Sequence, residues 1–374
     1  MNPRLIPACF IVSVKTSAGT SELLIAWVLL HEGIGLYDGL PYTEVNRARP
    51  VSLAPAAPMP TRRAATKPVY RIRNWKRYND ALVNRGSPTL RVDQAALRAW
   101  RYHGPTRRGA RFDYSDTAIQ CLLTLRAVYH LTLRATEGFA RSLLGMMRLD
   151  LPVPDYTTPC RRAGTLPIDL PRKAEGPLHL ILDGTGLKVY GEGEWKVRQH
   201  GHSKRRTRIK LHLAIDPETH EIREAMVTEP GVTDAEAVPD LPGQVKDPVT
   251  GAGADGAYDQ AGVYQELERR GAKAVIPPRR DAKIRRHGNA SGPRPARDED
   301  LRRIRRIGRA AWKEESGYHR RSLGETAMSR IETIFGSGVA GRSPERQAKE
   351  VGIRCRAMNI MTHQGMPVSE RVAV

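Results

Sequence analysis

The chain has 374 residues, about two domains' worth by length, and 61 Lys and Arg against 40 Asp and Glu leave a formal charge of +21. Hydrophobic residues at 40% suffice for a globular core, and the excess of positive charge asks for a polyanionic partner, nucleic acid before a membrane surface. Cys9, Cys121, Cys160 and Cys355 stand far apart with no CxxC pair, which argues against a zinc ribbon, a thioredoxin-type centre or a disulfide scaffold and for a reducing cytoplasm.

Residues 1–58 are poor in charge, lack a sustained period and end in the run Ala54 to Pro58, before an abruptly basic stretch begins at Met59. They are expected to be a non-native or disordered leader, with Met59 the true start. The apolar run Leu23 to Leu30 is far short of the roughly 20 residues a spanning helix needs, so no membrane segment is expected. A signal peptide is the rival reading, but Glu22 and His31-Glu32 bracket that run and no basic region abuts it.

Residues 59–110 form a basic, aromatic segment in which Tyr70, Trp75, Tyr78, Trp100 and Tyr102 interleave with arginines and lysines. Interleaving of this kind suits nucleic-acid contact, although aromatics also fill cores. Residues 111–170 read as helical. Ser115 can cap a helix with Ala118, Ile119, Leu122 and Leu125 on one face, and Ala135, Phe139 and Leu143 mark a second. A third is announced by Thr158 as N-cap and Pro159 as first residue, with Arg161 and Arg162 on its first turn. Three short helices with a basic last one resemble a helix-turn-helix DNA reader; a helical bundle with solvated arginines fits the spacing equally.

From residue 171 to 340 the period changes. Leu178 to Leu182 is an apolar run ending at Asp183, as a buried strand reads, and Ile209, Leu211, Leu213 and Ile215 alternate with Lys210, His212 and Ala214. Ile222 to Val227 gives another strand after the Asp216-Pro217 turn. The segment 196–210 carries seven basic residues and no acid, so Lys196, Arg198, Lys204, Arg205 and Arg206 are candidates for DNA contact together with Arg161, Arg162 and Arg320. Val249 to Ala254, a helix from about Tyr258 to Arg270, and Lys273 to Ile276 make strand, helix, strand. Residues 279–297 read as a flexible basic loop, followed by an arginine-crowded helix through Leu301, Ile304 and Ile307 and a helix from about Tyr318 through Ile334. A C-terminal helix and tail occupy 341–374. The fold class is therefore α/β, a mixed sheet flanked by helices and preceded by an all-helical region.

Asp183 and Asp255 each end a predicted buried strand, where open sheets expose functional groups, and neither has a sequence-local basic partner. Tyr318, Arg321 and Glu325 follow at intervals of three and four and share one helix face. Converging carboxylates of this kind suit hard divalent cations, and two such ions roughly 3.5–4 Å apart can serve phosphoryl transfer. Strand-end capping and a solvated helix face are the plain structural alternative.

The blocks Leu182 to Tyr190, Gly253 to Asp259 and Ser316 to Glu325 resemble the three signature blocks of bacterial insertion-sequence transposases of the DDE class, and more narrowly the family founded by insertion sequence five, with its Tyr-x2-Arg-x3-Glu-x6-Lys signature. The likeness runs from about Met59 to Val372. It implies an RNase H-like catalytic domain preceded by a helix-turn-helix-like DNA-binding region. Asp183, Asp255 and Glu325 become the catalytic and metal-binding triad, and Tyr318 and Arg321 the supporting residues. Two Mg²⁺ ions are implied, with Mn²⁺ as a substitute, and so is cleavage followed by strand transfer at terminal inverted repeats. The implied partner is double-stranded DNA, both element ends and target, bound by a homodimer or larger assembly in a bacterial cytoplasm at the nucleoid, with no membrane. Four positions depart from the family pattern: Gly184 where Ser is usual, Pro159 and Cys160 where Leu-Ser is usual, and Glu332 where the final Lys falls. A carboxylate at Glu332 would repel a phosphate that lysine attracts, and the competing reading is a catalytically impaired DNA-binding remnant or regulator.

Overall fold

The computed structural model describes residues 12–15, 21–24, 69–92, 94–105, 113–173, 176–189, 208–241, 245, 247–286 and 295–372. Met1–Thr66 and Lys67–Val374 form separate units. Within the first, the backbone of β1 (Val12–Lys15) and β2 (Ser21–Leu24) pairs as an antiparallel hairpin.

The second unit is built on a mixed sheet of six strands. Its path runs β6 (Ile222–Thr228), β5 (Arg208–Ile215), β4 (Leu178–Val189), β7 (Val249–Gly253), β8 (Lys273–Val275), with β9 (Gly338–Val339) also on β4. The first part of β4, Leu178 to Ile181, pairs with parallel β7; from Ile181 to Lys188 antiparallel β5 is its partner, and β9 joins at Lys188 and Val189. The apolar run had placed the strand's end at Leu182. It continues instead because β5 keeps supplying ladder partners across Gly184, Thr185 and Gly186, whose small or polar side chains hide the strand from an apolar pattern.

Period-2 alternation gives the sheet two buried faces. Leu178, Leu180, Leu182 and Ala214 pack with Val263 and Leu267 of α6 (Ala261–Arg269). On the other face Ile181, Leu187, Leu211 and Leu213 pack with Ala327 and Ile331 of α9 (Ser322–Phe335) and with Val351 and Met358 of α10 (Pro344–Gln364). At the sheet edge Asn359 acts as a one-residue strand: its side-chain oxygen accepts the Ile222 N–H at 2.8 Å and its amide donates to the Ile222 carbonyl at 2.8 Å.

Before the sheet come α3 (Asp116–Val128), α4 (Leu133–Met146) and α5 (Thr157–Arg162). Ser115 caps α3 by accepting the Ala118 N–H, as its position predicts. Residues 118–125 of α3 are all buried, because one side meets Trp100, Leu143 and Leu144 while the other meets Leu166 and Ile353 of α10. Trp100 is thus core. By contrast Tyr70 and Trp75 of the same basic segment are exposed. α5 begins two residues earlier than expected, at Thr157 with Tyr156 in the cap position, and the Asp155 side chain accepts the Thr157 N–H at 2.9 Å. Pro159 still fits, since first-turn N–H groups have no helical acceptor. Finally β3 (Val69–Ile72) pairs antiparallel with β10 (Ser369–Val372), and Asn74 bonds both Met366 and Val368, so the tail closes on the start of this unit.

Candidate functional site

Asp183 sits mid-strand, just past the point where β7 stops, and its side chain lies on the α9 face with Ile181 and Leu187. Asp255 follows the end of β7 and caps the turn Gly256–Tyr258 by accepting the Ala257 N–H at 2.8 Å. Glu325 stands on the first turn of α9, where Arg321 donates to it at 2.6 Å. Tyr318–Arg321 is a 3-10 turn leading into α9, and the Arg321 guanidinium lies 5.6 Å from the centre of the Tyr318 ring. All five residues meet at one end of the sheet: burial raises the Asp183 carboxyl above its ordinary value, Gly184 and Arg321 oppose this, and the charges of Asp255 and Glu325 add to it. α9 approaches this closely because residue 324 is glycine; a Cβ there would stand 3.0 Å from both Cβ and Oδ2 of Asp183.

The donor set is chemically suited to a hard divalent cation. Asp183, Asp255 and Glu325 each commit one oxygen to a protein donor and leave the other without a hydrogen bond among the described residues. The lesser part of what lifts Asp183, the repulsion from Asp255 and Glu325, is what a bound cation would remove. Among the described residues no three Asp, Glu, His or Cys side chains are close enough together to hold a single ion, so the carboxylates stand in an open arrangement.

Across the sheet from Asp183 lies a polar cluster that the sequence reading missed. Asp234, in the turn after β6, contacts Lys210 Nζ at 3.0 Å and His212 Nδ1 at 3.4 Å. These contacts, His212 first, hold its carboxyl below the ordinary value against burial. Gly184 faces His212 in the ladder, and a Cβ on it would come 2.2 Å from the Asp234 carboxylate. The departure to glycine at 184 is therefore matched to Asp234. Tyr258 is buried beside the same group; its hydroxyl has no hydrogen bond among the described residues and is pushed up by burial, then by Asp234, Asp183 and Asp255. Polar Lys210 and His212 on the inward face of β5 were the available signal.

The basic candidates divide. Arg161 is exposed on α5. Arg162 is largely buried, paired with Asp116 and donating to the Tyr114 carbonyl at 2.5 Å. Arg320 pairs with Glu218. Lys196, Arg198, Lys204, Arg205 and Arg206 lie outside the described residues. Of the basic stretch over 279–297 expected to be a flexible loop, the described residues 279–286 and 295–297 are anchored. Buried Asp298 accepts the N–H groups of Arg285 and Arg286 at 3.1 and 2.8 Å, and Asp259 accepts from Arg279 N–H and from Arg297, which is already inside α7 (Ala296–Ile307). Acids spaced along the sequence, invisible as partners, tie the backbone down while Arg279, Arg280, Arg285 and Arg286 stay exposed. Glu332 lies within α9, exposed, and accepts from the Thr185 hydroxyl at 3.2 Å.

No helix among the described residues is long and apolar enough to cross a membrane. Two family models, each described as a transposase DDE domain, match the chain, one over residues 83–192 and the other over 174–360. The first contains Asp183; the second spans half the chain and contains Asp183, Asp255 and Glu325. The mixed sheet, the carboxylates gathered at one end of it and the two matches agree, and the chain belongs to the DDE transposases.

Proposed function

We propose that this transposase cuts and joins DNA at the terminal inverted repeats of an insertion sequence of the family founded by insertion sequence five, with Asp183, Asp255 and Glu325 as its catalytic triad on an RNase H-like sheet. The observation that carries the reading is the half-buried Asp183, whose carboxyl is raised by burial and by two neighbouring acids on separate elements. These three carboxylates would hold two Mg²⁺ ions, or Mn²⁺ in their place, which when bound activate an attacking water and stabilise the leaving oxygen. Arg321 orients Glu325, Tyr318 backs Arg321, and Gly324 lets α9 close against Asp183.

In the first step a water oxygen bonds to the phosphorus at the element end, and the phosphorus–oxygen bond to the element's 3′ oxygen breaks, releasing a 3′-hydroxyl. In the second, that oxygen bonds to a target phosphorus and the target's own 3′-hydroxyl leaves. Residues 59–110 and 111–170 would grip the terminal repeats, Arg161 among them, while 171–340 performs the chemistry and 341–374 supports it. Arg320 and the basic run containing Lys196, Arg198, Lys204, Arg205 and Arg206 would hold phosphates, with two or more protomers pairing the ends. The test is to read the DNA flanking the gene for inverted repeats and incubate a duplex carrying them with the protein. Mg²⁺-dependent nicking at the element boundary is expected. A duplex that is bound but stays uncut across Mg²⁺ and Mn²⁺ concentrations contradicts the proposal.

A further inference from the structure

A cavity of about 640 Å³ opens between α3, the end of α5, the loop over 336–342 and the first half of α10, and it touches α9 only at Phe335, the opposite end of that helix from Glu325. Its lining is apolar at Leu131, Phe335 and Ile353 and strongly basic at Arg126, Arg342, Arg346 and Lys349. Glu350 is its one acid. That carboxylate accepts the N–H groups of Ala340 and Gly341 at 3.0 and 2.9 Å and pairs with Arg354 at 2.7 Å, so its charge is already matched. The other four cations have no ion-pair partner among the described residues, and Arg126 Nε is buried with no acceptor. A cavity with four uncompensated cations calls for an anionic occupant.

The wall is preformed. A Cβ on Gly341 would lie 2.8 Å from the Gln347 backbone nitrogen, so only glycine allows the loop this close to α10, and Gln347 Nε2 donates to the Gly341 carbonyl at 2.9 Å. Arg354 pins the loop further by donating to the carbonyls of Gly336 and Gly338. A pocket fixed in this way binds without the cost of ordering its own walls.

We propose that this cavity is a second DNA-strand site, taking one nucleotide with its phosphate against Arg126, Arg342, Arg346 and Lys349 and its sugar and base over the apolar floor. An inorganic anion would leave that floor uncovered, and an apolar ligand would leave the cations unpaired. The volume suits a group of nucleotide size. The inference rests on DNA as the partner of the transposase and is independent of the carboxylate triad.

Cys160 lines the cavity and is half-buried, which makes it a reporter. Cys121 and Cys355 are buried, and burial pushes the Cys355 thiol up to about 12. In a Cys9→Ser background with EDTA present, the rate at which a thiol reagent modifies Cys160 is measured alone, with a twelve-nucleotide single strand, with the matching duplex, and with deoxyadenosine monophosphate. Saturating single strand or duplex is expected to slow modification at least tenfold, with the monophosphate at equal concentration much less effective. The pair Arg346→Ala with Lys349→Ala is expected to weaken strand binding roughly tenfold or more and to flatten the salt dependence by about one to two contacts at unchanged Tm. DNA bound to saturation with Cys160 still reacting at the free rate would overturn the proposal, as would unchanged affinity in the folded double variant. Equal protection by the monophosphate would overturn the assignment to a DNA strand. Because EDTA silences metal-dependent chemistry, failure here is distinct from failure of Mg²⁺-dependent nicking.

Discussion

Asp183 carries a charge that its surroundings oppose. Burial and then the charges of Asp255 and Glu325 raise its folded pKa above the unfolded value, so the stability it contributes is full below the ordinary carboxylate range and is lost as pH rises through the elevated value. At neutral pH without divalent ions, Asp183→Asn is therefore expected to raise Tm, with the gap to wild type closing on acidification. Added Mg²⁺ should raise Tm of the wild type and leave the Asn variant where it was. An Asn variant less stable than wild type at neutral pH would show that the charge is not strained. Glycines set the same site's limits. Gly→Ala inside a helix ordinarily gains about 0.5–1 kcal/mol, but Gly324→Ala would push its Cβ to 3.0 Å of Asp183 and 3.2 Å of Ile181 and is expected to cost about 1–3 kcal/mol by urea unfolding. Gly184→Ser meets Asp234 still more closely and should be at least as costly. The three acids proposed as a triad stand in ordered motifs and could be singled out from the sequence; the match of Gly184 to Asp234 could not, since its partner comes from a distant turn and shows only when β4, β5 and that turn are assembled.

Elements announced by apolar period, such as β5, β6, β7, α3 and α6, were readable from the sequence, and the capping Ser115 lay where expected. What escaped were features that depend on a neighbour: the second half of β4, the early start of α5 and the anchoring of the basic loop by Asp259 and Asp298. Asn359 belongs to the same class, a polar residue inside a helix whose role exists only against the edge of β6. Asn359→Ala strips partners from a buried N–H and carbonyl and from the Pro171 carbonyl, and is expected to lower stability by about 2–3 kcal/mol in denaturant titration. α9 offers a contrasting case. Glu332→Lys gives up one exposed hydrogen bond to Thr185, worth about 0.5–1 kcal/mol, and places a cation two turns beyond Glu325. The expected result is a salt dependence of DNA binding steeper by roughly one phosphate contact, together with more strand transfer. An unchanged slope would remove Glu332 from any account of DNA contact. Removal of residues 1–58 should leave Tm of the rest unchanged, because Lys67–Val374 is compact in itself and its own tail closes on β3.

At the scale of the molecule, a formal charge of +21 and a cluster of acids answer different needs. Basic side chains spread over α5, the loop near Asp298 and the cavity beside α10 would supply affinity for phosphate under the proposed function, whereas the carboxylates at the end of β4 and β7 would repel DNA unless cations were bound. Binding and chemistry should therefore separate cleanly under mutation. The measurement that tests this most directly compares Asp183→Asn, Asp255→Asn and Glu325→Gln with wild type on one duplex carrying the terminal repeat, recording affinity in EDTA and strand cleavage in Mg²⁺. Near wild-type affinity and no cleavage are expected for all three. Wild-type cleavage by any one of them would remove that residue from the triad and contradict the assignment.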